Sequence, residues 1–149
     1  MTLTLIGRSD SVDRLKGLFI MLKPSLSTLV DIYIEYAIFD EDALYDAPLG
    51  GLCHELEKMV GQNVVETIKL LISVYPGCNC TRWDELDDVL MGSPEGWPAL
   101  RKVSLLLDIL GEYRDHSVVE ELQELYMTKL MESKRVQFDL QVRDQGCYW

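Results

Sequence analysis

Four segments of the chain alternate apolar and polar residues with a period of two, which predicts strands buried on one face. Their apolar members begin 36, 35 and 33 residues apart (68 − 32, 103 − 68 and 136 − 103), a spacing typical of repeat proteins. These members are Ile32, Ile34, Tyr36 and Ile38; Ile68, Leu70, Ile72 and Val74; Val103, Leu105, Leu107 and Ile109; and Val136, Phe138, Leu140 and Val142. A shorter copy at Leu3 and Leu5 begins the series.

Apolar residues at helical spacing fill the intervals between the strands. The predicted helices cover 11–22, 51–60, 81–91 and 117–131. Gly61 and Gly92 follow the second and third helices as terminating residues, and Ser117 with Glu120 forms a capping box at the start of the longest. Strand and helix therefore alternate, as parallel strands with crossover connections require.

The second face of each strand distinguishes two α/β architectures. A doubly wound sheet is covered by helices on both faces, whereas a solenoid is covered on one face only. The second face is polar in the last strand, from Arg135 to Arg143, and mixed in the others. We predict a short curved α/β solenoid of about four to five parallel strands, with helices on one face, as a single domain over 1–149. Its repeat units are approximately 1–27, 28–63, 64–98, 99–131 and 132–149.

Composition and charge restrict the function classes. The 149 residues are 48% hydrophobic and 26% charged, which is typical of one globular domain. The net charge of −11 disfavours binding to nucleic acid and to anionic membrane surfaces. No apolar run is long enough for a membrane span and no secretion signal is visible, so we expect an intracellular protein, cytoplasmic or nuclear.

The reactive residue types do not form a recognisable site. Cys78 and Cys80 lack the second close cysteine pair of a zinc site, and the acidic run 40–42 lacks the residue order of a calcium loop. No nucleophile elbow or glycine-rich phosphate loop follows any strand. We therefore expect no catalytic residue, no metal and no cofactor, and a protein that is not an enzyme.

The tryptophans and the acids of the third helix are interpreted as structural residues. Trp83 falls at an inward position of that helix and Trp97 at the turn before a strand, which predicts packing roles for both. The acids are expected on the solvated outer face of the helix; they are Asp84, Glu85, Asp87 and Asp88.

Two strand entries have the residue spacing of leucine-rich repeats, L-x-x-L-x-L-x-x-N. They are Val65-x-x-Ile68-x-Leu70-x-x-Ser73 and Leu100-x-x-Val103-x-Leu105-x-x-Asp108. Ser73 and Asp108 stand at the asparagine position, whose side chain satisfies backbone groups in such repeats. The chain resembles a divergent leucine-rich-repeat horseshoe with long repeats.

A more particular resemblance covers residues 24–142. The motifs that carry it are Trp83-Asp-Glu-Leu86-Asp87-Asp-Val-Leu90, Gly96-Trp97-Pro98-Ala-Leu100-Arg-Lys-Val103 and, upstream, Asn63-Val-Val-Glu66-Thr-Ile68. In this order they resemble the C-terminal repeat regions of basidiomycete F-box-type hypothetical proteins. The resemblance implies a region that selects substrates for a ubiquitin ligase. The F-box, which would precede the repeats and contact the adaptor, is not visible in this sequence.

The residues that face away from the predicted core form a candidate binding surface. Leu71 and Leu106 supply its apolar centre, and Tyr33 an aromatic anchor. The whole set is Tyr33, Glu35, Lys69, Leu71, Ser73, Ser104, Leu106, Asp108, Gln137, Asp139 and Gln141. We expect a non-enzymatic interaction module that binds a protein partner through this face.

Other functions stay open at this point. The chain fits a small α/β ligand-binding protein or enzyme with a site at the carboxyl ends of the strands, or a vestigial repeat fragment. Dimerisation, or attachment to further chain, through the open terminal strand edges is also compatible with the pattern.

Overall fold

A computed structural model describes residues 1–6, 15–38, 48–74, 83–110, 124 and 126–145 of the chain. The strands are β1 Thr2–Ile6, β2 Asp31–Ile38, β3 Thr67–Val74, β4 Lys102–Leu110 and β5 Gln137–Gln145. The α-helices are α1 Leu18–Leu22, α2 Leu52–Met59, α3 Trp83–Met91 and α4 Thr128–Glu132. Short 3₁₀ segments, Lys23–Ser25 and Pro48–Gly51, adjoin α1 and α2.

All five strands are parallel, and they lie in the sheet in the order in which they follow along the chain. The strand order does not reverse as it does at the switch point of a doubly wound sheet. The α/β class and the parallel sheet predicted from alternating strands and helices are confirmed.

The hydrogen-bond register corrects one predicted spacing. Ile32 pairs with Ile68, which pairs with Val103, as the periodicity predicts. Val103 pairs with Phe138 and not with Val136, so the last spacing is 35 residues (138 − 103). Because side chains alternate with a period of two, this shift of two residues leaves every side chain on its predicted face.

One face of the sheet shares a single apolar core with the helices. The core contains fully buried side chains from both layers; among them are Ile34, Ile68, Leu70, Leu52, Leu56 and Leu90. Burying a leucine or isoleucine completely stabilises a fold by about 1.5–3 kcal/mol. Trp83 and Trp97 are buried too, and Trp97 Nε1 donates a 3.0 Å hydrogen bond to the carbonyl of Val89, so their predicted packing roles are confirmed.

Two predicted helices are interrupted in the described part of the chain. Gly17 has φ +87°, a left-handed conformation that a right-handed helix does not contain, and α1 therefore begins at Leu18. Met127 has φ −112° and ψ 31°, so the predicted helix 117–131 is not continuous through this residue and α4 begins at Thr128. Residues 11–14 and most of 117–125 lie outside the described residues.

Asn63 holds the turn between α2 and β3. Its Nδ2 donates to the carbonyls of Met59 at 2.9 Å and Gly96 at 3.1 Å, and its Oδ1 accepts from the amide of Val65 at 3.2 Å. Gly61 supports the same turn with φ +73° and an amide that donates to Gly96 at 2.8 Å. Asn63 thus satisfies three backbone groups at the turn that precedes β3.

Candidate functional site

The sheet face that points away from the core carries all of the predicted binding residues. Register places them in rows across β2, β3, β4 and β5: Tyr33, Lys69, Ser104 and Asp139; Glu35, Leu71, Leu106 and Gln141; and Ser73 with Asp108, while Gln137 pairs with Lys102. We call this surface the open sheet face; it comprises those residues together with Asp31, Thr67, Lys102 and Arg143. The sequence therefore predicted the face on which these side chains lie, whereas their neighbours across β4 and β5 are shifted by two residues from the predicted spacing.

The two leucines at the centre of the open sheet face are half-buried and adjacent. Leu71 pairs with Leu106, whereas their chain neighbours Leu70 and Leu105 are 0% and 1% exposed in the core. Adjacent residues of one strand point to opposite faces, so this contrast follows directly from the pleat. The strand parity predicted from the sequence is confirmed.

A depression of about 670 Å³ lies over this face. Its polar and apolar lining comes from all five strands and includes Thr2, Asp31, Tyr33, Thr67, Lys69, Leu71, Lys102, Ser104, Leu106, Asp139 and Gln141. The lining covers the first residues of the strands and their middle. Ligand sites of open α/β sheets lie instead beyond the carboxyl ends of the strands.

The cations of the open sheet face differ in their partners. Lys102 Nζ lies 3.2 Å from Asp139 Oδ2, and Arg143 donates to Asp108 from Nε at 2.7 Å and from Nη2 at 2.9 Å. Lys69 is exposed and has neither a hydrogen bond nor an ion pair with any described residue. Among the described residues, Lys69 is therefore the cation of the depression that has no ion-pair partner.

Asp108 differs from its predicted role as an exposed contact residue. It is only 6% exposed, because the paired strand β5 places Arg143 directly beside it, and both of its oxygens accept hydrogen bonds from that guanidinium. The same pair raises the pKa of Arg143 above its ordinary value. A partner would thus meet the exposed side of Arg143 and not the carboxylate of Asp108.

Tyr33 is held as a hydrogen-bond donor on this face. Its hydroxyl donates to Glu35 Oε2 at 3.3 Å. Partial burial and the negative charge of Glu35 raise the pKa of Tyr33, against an opposing effect of Arg143. The phenol stays protonated at neutral pH.

The predicted binding set omitted four residues of the open sheet face: Asp31, Thr67, Lys102 and Arg143, of which only Arg143 was assigned to that face from the sequence. Each lies two residues beyond a predicted binding residue on the same strand and therefore points to the same face. Extending the alternation to the strand ends would have found them.

Other candidate chemistry is limited in the described part of the chain. There, no three His, Cys, Asp or Glu side chains are grouped as a metal site would need, and no helix is long and apolar enough to cross a membrane. Cys78, Cys80 and the acidic run 40–42 lie outside the described residues. So do the segments that follow β2, β3 and β4, and the alternative of a ligand site at those strand ends stays a prediction.

Comparison of the chain with family models, curated proteins and solved structures found no match. The resemblance to F-box-type repeat regions therefore stays a prediction from the motifs.

Proposed function

We propose that the protein is a non-enzymatic interaction module that binds a protein partner through the open sheet face. The observation that carries this proposal is the partly buried pair Leu71 and Leu106 in the middle of that face, with Tyr33 nearby and polar side chains around them. An apolar centre with a polar rim is the usual anatomy of protein interfaces, and aromatic residues are frequent energetic anchors in them.

The position of the depression favours a partner protein over a small substrate. Its lining spreads over five strands and across the sheet face, which suits an extended segment. Small-molecule sites are deeper and bring a few polar groups together. In the described residues the carboxylates of Asp108 and Asp139 are both engaged by cations, which leaves neither poised as a catalytic base.

The proposal extends to the architecture of a short, curved solenoid related to leucine-rich repeats. The sequential order of parallel strands supports it, as does the core that the helices share with one sheet face. Repeat solenoids present extended concave surfaces to their partners. The proposal also includes a more specific function: a substrate-recognition region of an F-box-type ubiquitin-ligase receptor in the cytoplasm or nucleus. This part of the proposal rests on the motifs around Trp83 and Trp97.

The decisive experiment compares two double variants with the wild-type chain in affinity capture from a eukaryotic lysate. Leu71→Asp/Leu106→Asp alters the open sheet face, and Ile20→Asp/Met21→Asp is the matched control on α1, where these side chains are 73% and 57% exposed. Circular dichroism establishes that all three chains are folded. A partner retained by wild type and control but lost from the sheet-face variant supports the proposal; a partner retained by all three contradicts it.

The ubiquitin-ligase relation has a separate test. A substrate-recognition region expressed without its adaptor-binding motif should compete with the intact receptor, so the half-life of the captured partner in cells should lengthen. The sheet-face variant should have no such effect. A half-life that wild type leaves unchanged contradicts the F-box relation without affecting the binding proposal.

A further inference from the structure

The charge pattern of the depression indicates what kind of segment it accepts. Four polar side chains of its lining contact one another: Lys102 pairs with Asp139, and the Asp31 carboxylate accepts a 3.0 Å hydrogen bond from Thr2 Oγ1. Lys69 has no counterpart in the described part of the chain and is exposed. An unpaired cation inside a concave surface is complementary to a single carboxylate on a partner.

Lys69 also has a definite spacing from the apolar centre. It precedes Leu71 by two residues on β3, and Leu71 pairs with Leu106 on β4. Residues two apart on a strand point to the same face and are separated by about 6.6 Å. An extended peptide has the same repeat, so an acidic residue and an aliphatic residue two positions apart would meet the cation and the leucine pair together.

The net charge of the whole protein limits the number of acids in such a segment. At −11, the chain repels a highly acidic partner at long range, and this repulsion offsets a contact with one lysine. A single carboxylate directly over Lys69 gains the local attraction with little of that repulsion. The surface therefore favours a segment with one acid beside an aliphatic residue over an acidic tract.

We infer that the open sheet face binds an extended segment of a partner protein in which one Asp or Glu lies two positions from a large aliphatic residue. The carboxylate of the partner segment pairs with Lys69, and its aliphatic side chain packs against Leu71 and Leu106. This inference rests on the proposed function and adds the chemistry of the partner.

The test uses a displayed library of random linear peptides selected on the full chain. We expect enriched peptides to share an acid two positions from Leu, Ile, Met or Val. Lys69→Glu should weaken the binding of such a peptide about tenfold or more, because attraction becomes repulsion. Replacing the peptide's acid by Lys should restore binding to the Lys69→Glu variant and abolish it for wild type. The matched control is Lys134→Glu, an exposed lysine outside the open sheet face, which should leave affinity unchanged.

The outcomes separate this inference from the proposed function. Peptides that are lost with Leu71→Asp/Leu106→Asp but contain no acid, or are insensitive to Lys69→Glu, overturn the inference and leave the proposed function standing. A selection that yields no peptide dependent on the open sheet face overturns the inference alone, because the affinity capture with the double variants decides the proposed function separately.

Discussion

The carboxylate of Asp87 accepts a 2.9 Å hydrogen bond from the backbone amide of Leu130, 43 residues further along the chain. Its second oxygen accepts from the amide of Lys129, so that a side chain of α3 caps the first turn of α4. Asp87 is 2% exposed, which corrects its predicted position on the outer helix face. Glu55 of α2 has a similar role at α1, where it accepts from the amide of Phe19 at 2.8 Å. Two helices of five residues are thus capped by buried acids of their neighbours.

Replacement of Asp87 by Ala should destabilise the protein by about 2–3 kcal/mol, because two helical amides lose their acceptor in a buried position. The measurement is urea unfolding followed by circular dichroism. Asp84→Ala, an exposed acid in the first turn of the same helix, is the control and should cost less than about 0.5 kcal/mol. Equal losses in the two variants would show that Asp87 does not act as a cap.

The two buried acids should respond to pH in opposite directions. Burial raises the pKa of Asp87 above its ordinary value of 3.8, despite the two amides that it caps. Burial also opposes ionisation of Glu55, but its hydrogen bonds with Lys58 and with the amide of Phe19 outweigh this effect and lower its pKa below 4.5. Asp87 therefore reduces stability as pH rises above 3.8, whereas Glu55 loses its stabilising contribution as pH falls below 4.5.

The check is the free energy of unfolding of wild type, Asp87→Asn and Glu55→Gln between about pH 3 and pH 7. The advantage of wild type over Asp87→Asn should shrink as pH rises, and its advantage over Glu55→Gln should grow. Two differences that change in the same direction would contradict the assignment for one of the acids.

Asn63→Asp should be more damaging than Asn63→Ala at neutral pH. Alanine removes three hydrogen bonds from a buried turn and should cost about 2–3 kcal/mol. Aspartate also directs a negative charge at the carbonyls of Met59 and Gly96, which accept from the asparagine amide. At acidic pH, protonation of the new carboxyl group should bring the stability of the aspartate variant close to that of the alanine variant. Thermal unfolding measures this stability. A more stable aspartate variant at pH 7 would refute the donor role of Asn63.

Substitutions at neighbouring leucines should have unequal effects. Leu70→Asp or Leu105→Asp places a charge in the apolar core and should cost more than about 4 kcal/mol, enough to abolish cooperative unfolding in a domain of ordinary stability. Leu71→Asp or Leu106→Asp should leave a folded chain, because those side chains point to the open sheet face. Circular dichroism and thermal unfolding of the four variants measure which of them remain folded. An equal loss of stability at both pairs would exclude a sheet that is covered on one face only.

Periodicity was sufficient for the strands because its signal is local. Each of β2, β3 and β4 is eight or nine residues long with apolar side chains at every second position, and burial of that set needs only one covered face. The same alternation identified the outward-facing neighbours Leu71 and Leu106. Helix boundaries were harder to predict, because the helices are interrupted at Gly17 and Met127 while the apolar pattern of the sequence continues through both residues.

The sequence by itself determined the α/β class, the parallel strands and the face to which each described strand residue points, since these depend on spacing within a segment of a few residues. Only the tertiary structure decided that Asp87 caps α4, that Arg143 covers Asp108, and that Lys69 has no ion-pair partner in the described part of the chain. The first two relationships join residues 43 and 35 positions apart, and all three depend on which helices and strands become neighbours. A polar side chain is buried or exposed according to the partner that packing brings to it, and no local pattern in the chain carries that information.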